Sequence, residues 1–322
     1  MNHYILGIDT SAYTTSIAVI DQETNEIIEN KRKILTVPMG QKGLRQQDAV
    51  FQHMKNFYEL YYDMSIVFNN IKTVSVSSKP RNIEGSYMPV FTVGQNFGKI
   101  IAKTLNCNYL EYSHQENHIA ASLLHNYKEI NNNIIAIHIS GGTTEFLQVS
   151  KAKKGYDAKI VGGSKDITYG QLIDRIGILL DFQFPCGLHM EKHLYDNNII
   201  DEIKTPKISG DEYINLSGME NYYTNLYLSK KYSKESIINS LFTYIADSIV
   251  HIINKLNISS TIETIIITGG VASNSFIRKH ILNNLDKNIN ILLPTKENAT
   301  DNAIGTAFLP IIDRWYNEVK TN

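Results

Sequence analysis

Short apolar runs closed by turns of small polar residues alternate along the chain with longer stretches whose apolar residues recur at helical spacing. Tyr4 to Asp21 reads as a hairpin. An apolar strand leads into the turn Asp9-Thr10-Ser11-Ala12-Tyr13-Thr14-Thr15, and Ser16-Ile17-Ala18-Val19-Ile20 forms the return strand. Ile134 to Ser150 repeats the plan with Ile134 to Ile139, the turn Ser140-Gly141-Gly142-Thr143-Thr144, and Glu145 to Val149. The repetition points to two duplicated lobes. Residues 22 to 48 read as polar and irregular. Helices are expected over Ala49 to Tyr62, Val93 to Leu105, Tyr169 to Leu180, Lys234 to Leu256 and Ser273 to Leu285, with a last one from about Asp301. Thr73 to Ser77, Ile262 to Thr268 and Ile291 to Leu293 read as strands. Strands alternating with helices predict an α/β architecture with ligands at the strand ends between lobes. Residues 1–125 would form an N-terminal lobe and 126–322 a C-terminal lobe, with the last helix a candidate to pack back on the first.

Three glycine-anchored segments follow apolar strand-like runs: Ile5 to Ser11, Ile139 to Thr144, and Ile267 to Asn274. Where no Cβ intervenes, a phosphate or purine can lie against the backbone, and turn N–H groups with Ser and Thr hydroxyls can converge on an anion. Gly141-Gly142 is equally good hairpin-turn chemistry. Gly269-Gly270 joins a strand to a helix start, which offers free N–H groups to a nucleotide, or a plain connection capped by Ser273 or Asn274. The three loops in this order suggest a nucleotide site assembled from distant parts.

His114-Gln115-Glu116-Asn117-His118 opens a helical stretch, and its i,i+4 spacing puts both imidazoles on one face, about 6 Å apart along the axis. That suits a divalent metal. A zinc protease of the HExxH type would need Glu at position 115, where this chain has Gln115. Asp301, in Thr300-Asp301-Asn302-Ala303, offers a third ligand or a helix cap. His189 and His193 also stand four apart but have no evident third partner, His138 lies within an apolar strand, and His53 is uninformative.

Composition narrows the class. With 322 residues, 43% of them hydrophobic and 20% charged, the chain has ample core for two lobes. A formal charge of -1 gives no global pull toward nucleic acid or membrane, so RNA would be met through a local patch or a partner. Cys107 and Cys186 are isolated thiols of the kind kept in a reducing compartment. No export signal is read at the N-terminus, and no apolar run is read as long enough to span a bilayer. A cytoplasmic protein without membrane contact is expected.

These motifs resemble the TsaD/Gcp/YgjD family, the tRNA N6-adenosine threonylcarbamoyltransferases once named O-sialoglycoprotein endopeptidases, nearly from end to end. The resemblance implies the actin, sugar-kinase and Hsp70-like ATPase fold. His114 and His118 match the family's HxxxH metal pair, and Asp301 matches its carboxylate ligand. Ile139, Ser140, Gly141, Gly142 and Thr143 match the phosphate-side loop. Asp174, in Tyr169-Gly170-Gln171-Leu172-Ile173-Asp174, matches an aspartate that holds the ribose. Gly187, in Phe184-Pro185-Cys186-Gly187, lies where the family approaches the nucleotide, and Asn274 matches its adenosine contact.

What the resemblance implies is transfer of the threonylcarbamoyl group from threonylcarbamoyl-AMP to N6 of the adenosine 3′ of the anticodon in ANN-decoding tRNAs. One divalent metal, iron or zinc, and an adenylate or ATP-type nucleotide would be bound. The tRNA would be held with partner subunits of the same modification complex. Ser11 and Thr143 are neighbouring candidates for catalysis beside the metal, and no other catalytic side chain is assigned. The chain also departs from the pattern. It has Ser11-Ala12-Tyr13-Thr14-Thr15 where the family usually has Ser-Cys-Asp-Glu-Thr, and Thr143 where the family has histidine. These changes keep two alternatives open: a divergent paralogue that transfers a carbamoyl or phosphoryl group to another substrate, and a non-catalytic nucleotide-binding partner subunit.

Overall fold

The computed structural model describes residues 3–11, 13–37, 44–124, 126–128, 133–197, 201–259, 261–294 and 300–321. Ala12, named above in the first loop, lies outside them. The elements begin with β1 (Tyr4–Asp9), β2 (Thr14–Asp21), β3 (Ile27–Ile34), α1 (Gln46–Tyr62), β4 (Ile71–Lys79), α2 (Phe91–Leu105), β5 (Asn108–Ser113) and α3 (His114–Leu123). They continue with β6 (Ile134–Ile139), β7 (Thr144–Lys151), β8 (Tyr156–Ser164), α4 (Tyr169–Leu179), α5 (Cys186–Asp196), β9 (Tyr213–Ile214), α6 (Ser217–Leu228) and α7 (Lys234–Ser259). The last are β10 (Thr264–Thr268), α8 (Ser275–Asn284), β11 (Asn290–Leu292) and α9 (Ile304–Thr321).

The described residues fall into two compact units, one drawn from Met1–Ile130, Ser150–Asp157 and Thr300–Asn322, the other from Asn131–Val149 and Ala158–Ala299. The first is built on a sheet ordered β3-β2-β1-β4-β5. β1 pairs antiparallel with β2, which pairs antiparallel with β3, while β4 runs parallel to both β1 and β5. The period-two alternation of β1 divides its side chains between two helical layers. Leu6 and Ile8 enter an apolar cluster with Phe57 of α1 and Ile101 of α2. Gly7 turns the other way, where a Cβ would strike Ala307 of α9. Asp9 shares the side of Gly7, so a carboxylate is delivered to the layer of α3 and α9.

The second unit carries a sheet ordered β11-β10-β6-β7-β8-β9. β6 pairs antiparallel with β7, and β10 runs parallel to β6 and β11. Ile135, Ile137 and Ile139 of β6 pack into a large core with Tyr169 of α4, Met190 of α5, Tyr223 of α6 and the apolar face of α7. α7 is long and apolar enough by length and composition to cross a membrane, contrary to the sequence reading, but 78% of its apolar window is buried within the protein. A run this apolar is what the core helix of a large sheet requires.

Both hairpins form, with Asp9 opposite Ser16 in one and Ile139 opposite Thr144 in the other. The reading of residues 22 to 48 as irregular is corrected by β3. Its sequence Ile-Ile-Glu-Asn-Lys-Arg-Lys-Ile is largely exposed at a sheet edge, so it shows no apolar face to read. The helix expected from Ser273 starts at Ser275 after a short 3-10 turn over Val271–Ser273, and the last helix starts at Ile304 rather than near Asp301.

Candidate functional site

α3 begins where β5 ends. Ser113 caps it in a closed capping box, its hydroxyl accepting the Glu116 N–H while the Glu116 carboxylate accepts the Ser113 N–H. This fixes His114 as the first helical residue and puts His118 one turn on along the same face. The loop before α9 brings in Asp301. His114 Nε2 lies 3.1 Å from His118 Nε2, and Asp301 Oδ1 lies 3.6 Å from the first and 3.4 Å from the second. One ligand atom from each residue falls within 4.8 Å of the others.

Those separations decide whether the donors fit a cation. Bonds of 2.0–2.2 Å in tetrahedral geometry set neighbouring ligand atoms about 3.3–3.6 Å apart, and right-angled bonds about 3 Å. The observed range spans these values. Two imidazoles and a carboxylate also match the mixed hardness of zinc or ferrous iron. The electrostatics agree. Burial alone would lower the His114 pKa, but Asp9 and Asp301 outweigh it and raise it to about 10. Burial would raise Asp301, yet its contacts with His114 and His118 hold it far below the usual carboxylate range. The pocket therefore favours positive charge, which a metal supplies as well as a proton does.

The sequence marks Asp9 only as part of the first loop. Asp9 is fully buried, its Oδ2 contacting His114 Nδ1 at 2.9 Å and accepting from Asn117 Nδ2 at 3.0 Å, while its Oδ1 accepts the Ser11 N–H at 2.8 Å. Ser11 is also buried, and Tyr13 is exposed. A cavity of about 730 Å³ lined by Thr24, Ile28, Leu124 and Lys128 includes none of these residues.

In the second unit, Ser140 Oγ accepts the N–H groups of Gly142 and Thr143, so the side chain itself closes the turn. Cβ atoms built on Gly141 and Gly142 would meet nothing within 4 Å, which leaves their faces open to an approaching group. The turn is fixed to the start of α4, where Thr168 Oγ1 donates to the Gly141 carbonyl and the Tyr169 N–H donates to Thr144 Oγ1. Gly170 presses on Gly141 so closely that a side chain there would collide with its backbone.

Asp174, one helical turn deeper in α4, accepts the Cys186 N–H at 2.8 Å and so lies at the start of α5, beside Gly187. Burial pushes the Asp174 carboxyl upward, partly offset by that hydrogen bond. The Cys186 thiol is buried and raised to about 11, first by desolvation and then by Asp174, which makes it inert as a nucleophile at neutral pH. Asn274 caps α8, its Oδ1 accepting the Ile277 N–H, while its buried Nδ2 has no hydrogen-bond partner among the described residues. A buried unpaired amide donor is costly, and a ligand acceptor would relieve it. Glu191, which the sequence did not single out, is buried one turn beyond Gly187 and accepts the Ser275 N–H at 2.8 Å.

His193 contacts Glu235 at 2.6 Å while His189 is exposed, and buried His53 meets Thr15 Oγ1 through Nδ1 at 2.8 Å.

The chain is 27% identical over 311 residues to the tRNA N6-adenosine threonylcarbamoyltransferase of Thermosipho melanesiensis, covering 93% of this chain and 91% of that one. Among solved structures, the activator of 2-hydroxyisocaproyl-CoA dehydratase from Clostridium difficile, with bound ADPNP, superposes with a TM-score of 0.55 at 15% identity, covering 99% of this chain and 98% of that one. HypF of T. kodakarensis gives a TM-score of 0.60 at 14% identity over 99% of this chain and 48% of its own. The fold is that of the actin-like ATPases and sugar kinases. Residues 48–308 match the family model TsaD, tRNA N6-adenosine threonylcarbamoyltransferase, and the chain belongs to that family.

Proposed function

We propose that this chain transfers the threonylcarbamoyl group from threonylcarbamoyl-AMP to N6 of the adenosine 3′ of the anticodon in ANN-decoding tRNAs, in the cytoplasm and together with partner subunits that hold the tRNA. The observation that carries the reading is the convergence of His114, His118 and Asp301 within 4.8 Å in a member of the TsaD family. These three residues would hold one divalent cation, zinc or iron. When bound, the cation supplies Lewis-acid polarisation of the carbamoyl and threonyl oxygens.

The chain's own residues would do the rest. Asp174 and Gly187 at the start of α5 would hold the ribose, and the free Nδ2–H of Asn274 would donate to the adenosine. The loop from Ile139 to Thr143, with the open faces of Gly141 and Gly142, would approach the phosphate, and AMP would leave. Ser11 and Thr143 would be the candidate catalytic groups.

The first loop supports a second reading. Its turn retains no carboxylate after Asp9, and the exposed Tyr13 stands within it. A paralogue acting on another carbamoyl or phosphoryl substrate, or a nucleotide-binding partner subunit, would keep the metal and nucleotide residues while losing that acidic pair. The deciding experiment combines purified chain, partner subunits, threonylcarbamoyl-AMP and an ANN-decoding tRNA, and measures the modified adenosine. Its formation supports transfer to tRNA; its absence, with the adenylate still bound, moves the assignment to the second reading.

A further inference from the structure

We infer that Asp9 is a positioning residue for the metal site, its carboxylate orienting the His114 ring and Asn117 holding that carboxylate to the start of α9. The inference rests on the metal reading of His114, His118 and Asp301. It gives the first loop a task in that site besides any contact with substrate.

The argument begins with burial. Asp9 is 0% exposed, and a carboxylate taken out of water has to be met by donors. Its Oδ2 meets His114 Nδ1 at 2.9 Å. A carboxylate oxygen accepts, so the proton sits on Nδ1, and in the neutral ring Nε2 is left with a lone pair. Nε2 is the atom that lies 3.1 Å from His118 Nε2 and 3.6 Å from Asp301 Oδ1. One hydrogen bond thus selects the tautomer and the ring rotation that present His114 to the other two ligands, the arrangement by which a carboxylate tunes a metal-bound histidine.

Asn117 extends the same control to Asp301. Its Nδ2 donates to Asp9 Oδ2 at 3.0 Å and also to the Asn302 carbonyl, while its Oδ1 accepts the Thr306 N–H at 2.7 Å. Asn302 follows Asp301 directly, and Thr306 lies in the first turn of α9. Gly305 allows this approach, since any side chain there would strike the Asn117 carbonyl oxygen. Asn117 and His114 are three apart on α3, so Asp9 reads two adjacent positions of one helical face. The end of β1, the helix that carries both imidazoles and the turn that carries the third ligand are joined through one buried carboxylate.

The test measures metal affinity rather than turnover. The purified full chain is titrated with Co(II) and Zn(II) against a chromophoric chelator, as the unmodified protein, Asp9→Asn and His114→Ala. Asp9→Asn keeps the shape of the side chain but exchanges one acceptor oxygen for an amide, and an expected 10–100-fold loss of affinity follows from removal of such a support. The visible spectrum of bound Co(II) should shift in the same variant. Wild-type affinity and an unshifted Co(II) spectrum in Asp9→Asn would overturn the inference. Failure of the unmodified chain to bind either metal, or undiminished binding by His114→Ala, would instead sink the metal reading itself. Should Asp9→Asn not fold, long-range proton–nitrogen NMR of the histidine rings in the Zn(II)-loaded, unmodified chain decides the matter. A proton on His114 Nδ1 supports the inference, and a proton on Nε2 overturns it.

Discussion

Gly269 lies against the backbone of Ile139, so close that any Cβ on it would run into the Ile139 carbonyl oxygen. Its φ of 99° also belongs to the region that only glycine enters freely. The contact joins the ends of the parallel strands β6 and β10, and therefore the two loops that carry Ser140 to Thr143 and Asn274. Gly269→Ala should cost at least about 1–3 kcal/mol from the backbone conformation alone, with the clash added to it. Denaturant unfolding should show that loss, and nucleotide affinity measured by calorimetry should fall as the loops separate. An alanine variant with unchanged stability would refute the account of this junction.

Metal should stabilise the folded chain through its three donors. A ligand present at about 100 times its Kd and bound only by the folded state adds about 2.7 kcal/mol. Zn(II) should therefore raise the Tm of the unmodified chain and leave that of His118→Ala or Asp301→Asn nearly unchanged, with chelator reversing the rise. Equal rises in all three proteins would place the bound ion elsewhere.

Acid should weaken the second unit through Asp166. Its Oδ1 accepts the Leu216 and Ile167 N–H groups and its Oδ2 accepts that of Ser217, so this carboxylate closes the N-terminus of α6. Burial would raise its pKa, but the hydrogen bonds from Ser217, Leu216 and Ile167 outweigh it and hold the carboxyl well below its ordinary value. The sign follows from linkage. A depressed folded-state pKa contributes stability above the unfolded value near about 3.9, and the contribution is lost as pH falls from there toward the folded value. Urea midpoints of the unmodified chain and Asp166→Asn should differ at pH 7 and draw together below about pH 4. A gap that stays constant with pH would show that the charge is not what acts.

Much of this was legible in the sequence where short-range pattern decides. The two hairpins, the i,i+4 pair His114 and His118, and the small-residue loops can be read from local spacing, because strand and helix periods operate over a few residues. What escaped was set by contacts between distant positions. β3 is a solvated edge strand whose partner, not its own pattern, makes it a strand. Asp9 looks like any turn carboxylate until α3 brings His114 and Asn117 to it from 105 and 108 residues away. Glu191 is an ordinary polar residue on α5 until α8 presents the Ser275 N–H to it. The period-two alternation of β1 did signal that Asp9 faces away from Leu6 and Ile8, and with α3 placed, that signal could have identified the carboxylate.

Residues 150–157, from the end of β7 to the start of β8, should be held in the first unit by a buried ion pair. Lys151 Nζ lies 2.7 Å from Asp313 Oδ1, with the two side chains only 7% and 13% exposed. All three N–H donors of Lys151 are used. Lys151 also donates to the carbonyls of Ala152 and Gly155, while Asp313 accepts from the Gly155 N–H and the Tyr112 hydroxyl. Charges buried this deeply tolerate the loss of both partners better than the loss of one, since a lone survivor is desolvated without compensation. Lys151→Met should therefore cost about 3–5 kcal/mol. The double variant Lys151→Met, Asp313→Leu should cost less than the two single losses combined, because neither charge is then left alone. Additive losses in urea unfolding would show instead that each side chain acts through its separate hydrogen bonds, with no coupling between the charges.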